Sequence, residues 1–400
     1  MYKRKIPFGT IVITEKAKKI IYELLETKRV SQGKYVREFE KRFADIWGVK
    51  YGVAVSSGTD AIALALSVLY DFGAKRGDEV ILPALTFIGT ANAVLMAGFK
   101  PVFVDVELET LNINPEKIEE KITEKTKAML PVHLMGKPVN MEKICEITKK
   151  YNLFLIEDSA EAHGSEYKGK NVGTFGDMGC FSTYVAHIIS TIEGGIIITD
   201  NEEYAEILRS LRAHGRACKC DVCVLNTSSG YCKKRFKYGR DIRFVFERVG
   251  FSSKMNEIEA AVGIGNLEIY EEIIEKRRKN FFKLKEIFKE FEDYFYTIDE
   301  AKEEKLSPHA FPFILKEKCK FKRDELVFYL NENGIDTRDL FSSIPTQTPG
   351  YKFLGYKEGE FPISEYIGNN GIHIGVHQDI DDEDIEYVGE VIKSFLEING

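Results

Sequence analysis

Between Lys50 and Arg212 the chain alternates short apolar runs with stretches of helical periodicity, and no other feature narrows its fold as far. YGVAVSS, EVILPAL, KPVFVDV, AMLPVHL, LFLIEDS, CFSTYV and GGIIITD have the length and apolar density of buried strands. Asp60 to Tyr70 (DAIALALSVLY), NMEKICEITKKYN and the stretch from Glu202 to about Arg212 read as helices between them. Strands that are apolar along their whole length need cover on both faces, and an intervening helix returns the chain to start a parallel neighbour. The alternation therefore predicts an α/β domain, a largely parallel sheet with helices on both faces. A helix within the first thirty residues is expected to pack outside it.

After Met255 the pattern changes. NEIEAAVGIGNLEIYEEIIEKRRKNFFKLKEIFKEF has apolar residues at three- and four-residue spacing and reads as one long amphipathic helix leading into a smaller α+β domain. The expected domains are 1–257 and 258–400, a division that suits 400 residues. Gly263 and Gly265 fall inside that helix, so they form no nucleotide fingerprint.

Composition removes some classes of function. With 44% hydrophobic and 30% charged residues, the chain fits a globular protein with a sizeable core. A net charge of −7 weighs against nucleic acid as a partner. No apolar run approaches the roughly 20 residues that span a bilayer, so no membrane role is expected. MYKRKIPFGTIVITEKAKK lacks the sustained apolar stretch of a secretory signal, which makes a cytoplasmic location the expectation.

Two places look ready for a ligand. Ser56-Ser57-Gly58-Thr59-Asp60 follows a strand and opens a helix, where free amides and the helix dipole favour a phosphate, although a plain N-cap explains the same residues. Asp158 ends an apolar strand, the edge at which open α/β sheets bind their ligands. Four of the seven cysteines, Cys218, Cys220, Cys223 and Cys232, fall within fifteen residues as C-x-C-x2-C-x8-C. In a reducing compartment that spacing points to metal rather than disulfides. Four thiolates suit an iron–sulfur cluster, [2Fe–2S] or [4Fe–4S], and equally a structural zinc. Cys145, Cys180 and Cys319 are scattered and read as ordinary thiols.

CFSTYVAHIISTIEGG (180–195), EDSAEAHG, PVHLMGKPVNM, SQGKYVREFEKRFA and GIDTRDLF together resemble the DegT/DnrJ/EryC1/StrS sugar aminotransferase family over nearly the whole chain. The resemblance implies a fold-type I, aspartate aminotransferase-like architecture, a homodimer with sites at the subunit interface, and pyridoxal or pyridoxamine phosphate as cofactor. It implies that Gly58, Thr59 and Ser182 hold the cofactor phosphate and that Phe87 stacks on the pyridine ring. Asp158 would keep the ring nitrogen protonated, making the ring an electron sink. His163, in the same motif, is expected to line the pocket. Ser252 stands where the aminotransferases have an asparagine that reaches a neighbouring subunit's cofactor phosphate, and Lys254 replaces an arginine. Arg338, in GIDTRDLF, is the candidate for a nucleotide diphosphate, which a guanidinium binds bidentately; a surface ion pair is the plain alternative.

The main departure from that family is His187. It fills the slot of the lysine that tethers the cofactor, and no lysine occurs between Lys170 and Lys219 to replace it. Without that amine, ordinary transamination loses its proton carrier. Two dehydratase branches of the family carry histidine there, one acting on a GDP-linked sugar and one, with an iron–sulfur cluster, on a CDP-linked sugar. Both remove the 3-hydroxyl of a 4-keto-6-deoxyhexose using pyridoxamine phosphate. An imidazole, with an ordinary pKa near 6.5, suits the base that takes the cofactor's C4′ proton. An inactive aminotransferase that merely tolerates His187 is the alternative.

HGRACKCDVCVLNTSSGYCKKRF resembles the iron–sulfur branch, which implies Cys218, Cys220 and Cys232 as cluster ligands. That branch has a further cysteine just after the aspartate motif, where this chain has Ala160, and Cys223 is the substitute. The expected function is thus C-3 dehydration and reduction of a nucleotide-linked 4-keto-6-deoxyhexose, with His187 as base and electrons reaching the cluster from a separate reductase. A cluster-independent dehydratase that regenerates its cofactor from glutamate, with zinc in the cysteine loop, is the second expectation. A non-catalytic redox or regulatory protein that keeps the cofactor pocket is the third.

Overall fold

The computed structural model describes residues 4–218, 220 and 231–400. Its central sheet has seven strands: β1 Tyr51–Val55, β2 Glu79–Pro83, β3 Lys100–Val104, β4 Thr126–Met129, β5 Phe154–Asp158, β6 Met178–Ser182 and β7 Gly195–Thr199. They lie in the order β1-β7-β6-β5-β4-β2-β3. Only β7 runs antiparallel to its neighbours, so the sheet is largely parallel, as the alternating pattern predicts. One strand is shifted. β4 starts earlier than the run AMLPVHL and stops before Pro131, which has no N–H to give a ladder.

Helices cover both faces. α1 Glu15–Thr27, α2 Lys34–Trp47, α3 Gly58–Val68, α4 Ile88–Met96, α5 Met141–Tyr151 and α6 Glu202–Leu211 precede the change in pattern. α3 is apolar almost all round because α4 and α6 flank it over the sheet. On the other side, α1 and α2 pack against α7 Glu257–Glu268 around Phe39, Phe43 and Trp47. The buried Glu257 carboxylate accepts from the amides of Gly33, Tyr35 and Val36 at 2.8, 3.1 and 2.9 Å. It thereby supplies the negative charge that the N-terminus of α2 favours.

The helix expected to be continuous from 256 to 291 is broken. α7 ends and α8 Tyr270–Phe288 begins at Ile269, whose backbone (φ −114°, ψ 18°) leaves the helical region. The two halves serve different cores. Ala260, Ala261 and Ile264 face α1 and α2, whereas Phe281, Leu284 and Phe288 pack into the C-terminal core with Phe311 and Phe313. One straight helix could not present both faces.

That second core surrounds a four-stranded antiparallel sheet: β8 Phe295–Thr297, β9 Ala310–Leu315, β10 Thr337–Asp339 and β11 Gly371–Gly375, in the order β8-β9-β11-β10. α9 Arg323–Glu332 and α10 Asp382–Asn399 cover it. Ile6 and Phe8 belong to the same core, and Ile6 bridges Ile335 beside β10. The two parts of the chain meet backbone to backbone at Gly136, whose φ is +83° and where a Cβ would lie 1.9 Å from the Ser307 carbonyl oxygen.

Candidate active site

The C-terminal ends of β1, β5 and β6 open into a cavity of about 470 Å³, closed on its far side by residues of the C-terminal sheet. Strand ends of this kind are where α/β sheets leave backbone groups and side chains free for a ligand. At one end of the cavity α3 begins. Its cap, Ser57, accepts from the Asp60 amide at 3.0 Å, while Gly58 and Thr59 line the cavity with first-turn amides that have no intrahelical partner. The approach of Ser182 here requires glycine: a Cβ on Gly58 would sit 2.6 Å from the Ser182 Cβ. Gly195 is held as tightly, since its Cβ would fall 2.3 Å from the Ser57 carbonyl. Gly58, Thr59 and Ser182 therefore form one cradle.

Asp158 lies deeper, 3% exposed. Thr90 Oγ1 donates to it at 2.8 Å and the Ala160 amide at 3.2 Å; burial raises its pKa, against those bonds. Phe87 caps α4 with an extended backbone and leaves 56% of its surface exposed along the cavity wall, its ring 5.8 Å from that of Phe341.

His187 follows β6 in a turn closed by its own amide on the Tyr184 carbonyl at 2.9 Å. It lines the cavity, and its Nδ1 has no hydrogen-bond partner among the described residues. Burial, then the charge of Arg277, lowers its pKa to about 4 against a hydrogen bond to the Ala160 backbone, so the ring is neutral at neutral pH. Its ring centroid is 4.8 Å from that of His309.

Other residues fall less evenly. Arg338 lines the cavity, ion-paired to Asp336 at 2.6 Å and resting 5.1 Å over the Phe8 ring. His163 does not line the cavity, contrary to the sequence expectation. It is wholly buried behind His187 among Phe43, Trp47 and Phe181, because the turn after Asp158 puts Ala160 and Glu161 on the wall instead. Ser252 is exposed and bridges Ala213, outside this chain's cavity; Lys254 bridges Val55 at the end of β1.

Residues 213–217, between α6 and the first of the four cysteines, run beside residues 245–252. The Cys220 thiol hydrogen-bonds with Cys218, and burial, then Cys218, raises its pKa, with Cys232 and Lys234 near enough to act on it. Cys223 lies outside the described residues. Among the described residues, no group of three or more His, Cys, Asp or Glu is placed to hold a metal ion.

Sequence reasoning missed Glu161, His309 and His373 on the wall. Glu161 accepts from the Met135 amide at 2.8 Å, and burial pushes its pKa up to about 8. It lay inside a motif already singled out, so a signal existed. His373 lay in GIHIGVHQDI, a run that resembles the dehydratases but to which no role was assigned, and His309 had no signal, since only the pairing of β9 with β11 brings it to the wall.

The donor set fits the cofactor that the sequence implies. A dianionic phosphate suits the amides and hydroxyl of the Gly58–Thr59–Ser182 cradle. A protonated ring nitrogen suits the buried carboxylate of Asp158, and a flat ring suits the exposed face of Phe87.

Comparison with known proteins agrees with this geometry. The model of the DegT/DnrJ/EryC1/StrS aminotransferase family matches residues 12–393. The chain is 36% identical to a GDP-4-keto-6-deoxy-D-mannose 3-dehydratase of Yersinia pseudotuberculosis, over 97% of this chain and 98% of that protein. A crystal structure of a GDP-4-keto-6-deoxymannose-3-dehydratase mutant with bound GDP-perosamine superposes with a TM-score of 0.86 at 33% identity, covering 97% of this chain and all of that one. Another, of that enzyme with a trapped PLP–glutamate geminal diamine, gives 0.84 at 33% identity with the same coverage. The fold is thus the fold-type I architecture of pyridoxal phosphate-dependent transferases. The chain belongs to the DegT/DnrJ/EryC1/StrS aminotransferase family.

Proposed function

We propose that this chain removes the 3-hydroxyl of a nucleotide-linked 4-keto-6-deoxyhexose with pyridoxamine phosphate as cofactor and His187 as base. The observation that carries this reading is His187 itself: a neutral imidazole on the cavity wall with a free Nδ1, in the place of the family's lysine. Pyridoxamine phosphate, when bound, supplies an amine for the sugar's 4-keto group and a ring that accepts the electrons freed at C4′. The remaining roles belong to the chain. The Gly58 and Thr59 amides and Ser182 bind the phosphate, Phe87 stacks, Asp158 holds the ring nitrogen protonated, and Arg338 takes the diphosphate of the substrate. His187 takes the proton from C4′.

The working unit of this proposal is a homodimer. Tyr231, Phe236, Phe244, Phe246 and Val249 are large apolar side chains exposed along one segment, the kind of surface that a partner subunit covers. Ser252 adjoins that segment and would reach the second copy's phosphate.

A second reading concerns the electrons. Cys218 and Cys220 are within hydrogen-bond reach of each other and Cys232 is near enough to act on Cys220, which brings three cysteines of the C-x-C-x2-C-x8-C run together. With Cys223 these cysteines would hold an iron–sulfur centre that passes on two electrons, one at a time, from a separate reductase. Without a cluster, the dehydrated amino-sugar is hydrolysed to the keto sugar and ammonia, glutamate restores the cofactor, and the loop takes zinc or no metal.

Product analysis tests the first reading. Protein supplied with pyridoxamine phosphate and GDP- or CDP-linked 4-keto-6-deoxyhexose should give a 3-deoxy sugar; a 4-amino sugar retaining its 3-hydroxyl would contradict it. The visible spectrum and iron content of anaerobically purified protein decide the second. Broad sulfide-to-iron bands support a cluster; colourless protein with stoichiometric zinc, active on glutamate alone, sinks it.

A further inference from the structure

Arg277, on α8, is the bulkiest of the fully buried side chains, at 1% exposure. Its Nη1 donates to the His309 carbonyl at 3.0 Å and more weakly to that of Pro308 at 3.5 Å. Among the described residues Nε and Nη2 have no hydrogen-bond partner, and the carboxylate whose charge acts on the guanidinium is that of Asp379. Burial presses its pKa down to about 10, which still leaves it charged at neutral pH. Burying a cation with no carboxylate bonded to it is costly, and two carbonyls do not require a cation.

Its charge reaches a set of imidazoles. Its charge acts on His187, His163, His309 and His377 alike, in each case after burial or a neighbouring histidine. Two of these, His187 and His309, are ring to ring at 34° on the cavity wall, and the Nδ1 of each is unpartnered. The strand end that carries His309 is the one whose carbonyls Arg277 binds.

We propose that Arg277 is a positioning residue for His187: its bonds to the Pro308 and His309 carbonyls hold the His309 ring against His187 and bring a fixed positive charge to bear on this pair. His187 then meets its substrate able to accept a proton. The inference rests on His187 being the base. The rings against His187 are Tyr184 on its own turn, His163 from the turn after β5 and His309 beside β9; Arg277 on α8 acts through its charge, and Asp158, Glu161, Glu193, Arg338, Asp339 and His373 share the cavity. Of these charges Arg277 is the one that lowers the His187 pKa.

The test is an NMR titration of the full chain without added cofactor, its histidines labelled with 13C at Cε1. Wild type is compared with Arg277→Gln, which keeps a donor for the carbonyl but no charge, and with Arg277→Lys, which keeps the charge. The His187 signal should stay neutral to below pH 5 in wild type and in Arg277→Lys, and its midpoint should rise by about one unit in Arg277→Gln. A folded Arg277→Gln protein with an unmoved midpoint overturns the proposal. So does a wild-type His187 that titrates near its ordinary value of about 6.5, an outcome that needs no variant to fold. Failure of the base assignment would show elsewhere, as unchanged cofactor C4′ exchange in His187→Asn, which this titration does not use.

Discussion

His187 and Glu161 face one cavity with opposite electrostatic histories. Burial keeps the imidazole unprotonated and the Glu161 carboxyl protonated, because both are pushed towards their neutral forms. For Glu161 the consequence is a stability that depends on pH. The unfolded chain ionises it near 4.5, whereas the folded chain holds its proton to about 8. The folded state therefore binds more protons across that interval, and the contribution of Glu161 to stability falls as pH rises from 4.5 to 8. Glu161→Gln, whose side-chain oxygen still accepts from Met135, removes this loss. Urea unfolding of cofactor-free protein should show the variant gaining about 2 to 4 kcal/mol on wild type between pH 5 and pH 8. Parallel pH profiles would refute the assignment. At this scale the sequence was readable where a side chain sits at the end of an apolar run, as Asp158 and Ser182 do. Glu161 was passed over because alternation says nothing about which residue of a turn faces inward. His163 was misplaced for the same reason.

Between α3 and β6 the decisive contact has almost no volume to spare. Gly58 and Ser182 come from elements more than a hundred residues apart in the chain, and their closeness builds the cradle proposed for the phosphate. Gly58→Ala pushes a methyl group into the Ser182 side chain, at 2.6 Å from its Cβ, so the strand end or the helix start must shift. Pyridoxamine phosphate affinity, measured by calorimetry, should fall at least tenfold, about 1.4 kcal/mol, while the protein stays folded; unchanged affinity would exclude this cradle. Elements were the best-read level of the sequence, because strands apolar on both faces and amphipathic helices announce themselves by period. The break at Ile269 was not readable. Apolar residues continue through it at helical spacing, and only the existence of two separate cores demands a change of direction.

The whole molecule exposes an aromatic segment beside a cysteine loop and places Ser252 outside its own cavity. If a second copy covers that segment, charge placed there should separate the copies. Phe246→Glu with Val249→Glu should sediment as a monomer at micromolar concentration and lose cofactor affinity; a dimer of wild-type affinity would move the interface elsewhere. The large-scale pattern, a parallel sheet followed by a smaller sheet, was legible from where alternation stops. The joining of the two sheets around one cavity was not, since β9 and β11 meet it only through long-range pairing.

Everything at the cavity turns on whether a histidine in the lysine's place moves a proton. The direct measurement is deuterium exchange at C4′ of pyridoxamine phosphate in heavy water, with a nucleotide-linked 4-keto-6-deoxyhexose present, for wild type and for His187→Asn. Wild type should exchange at least a hundredfold faster, the range in which general bases act. Equal rates in the two proteins would contradict a base at His187.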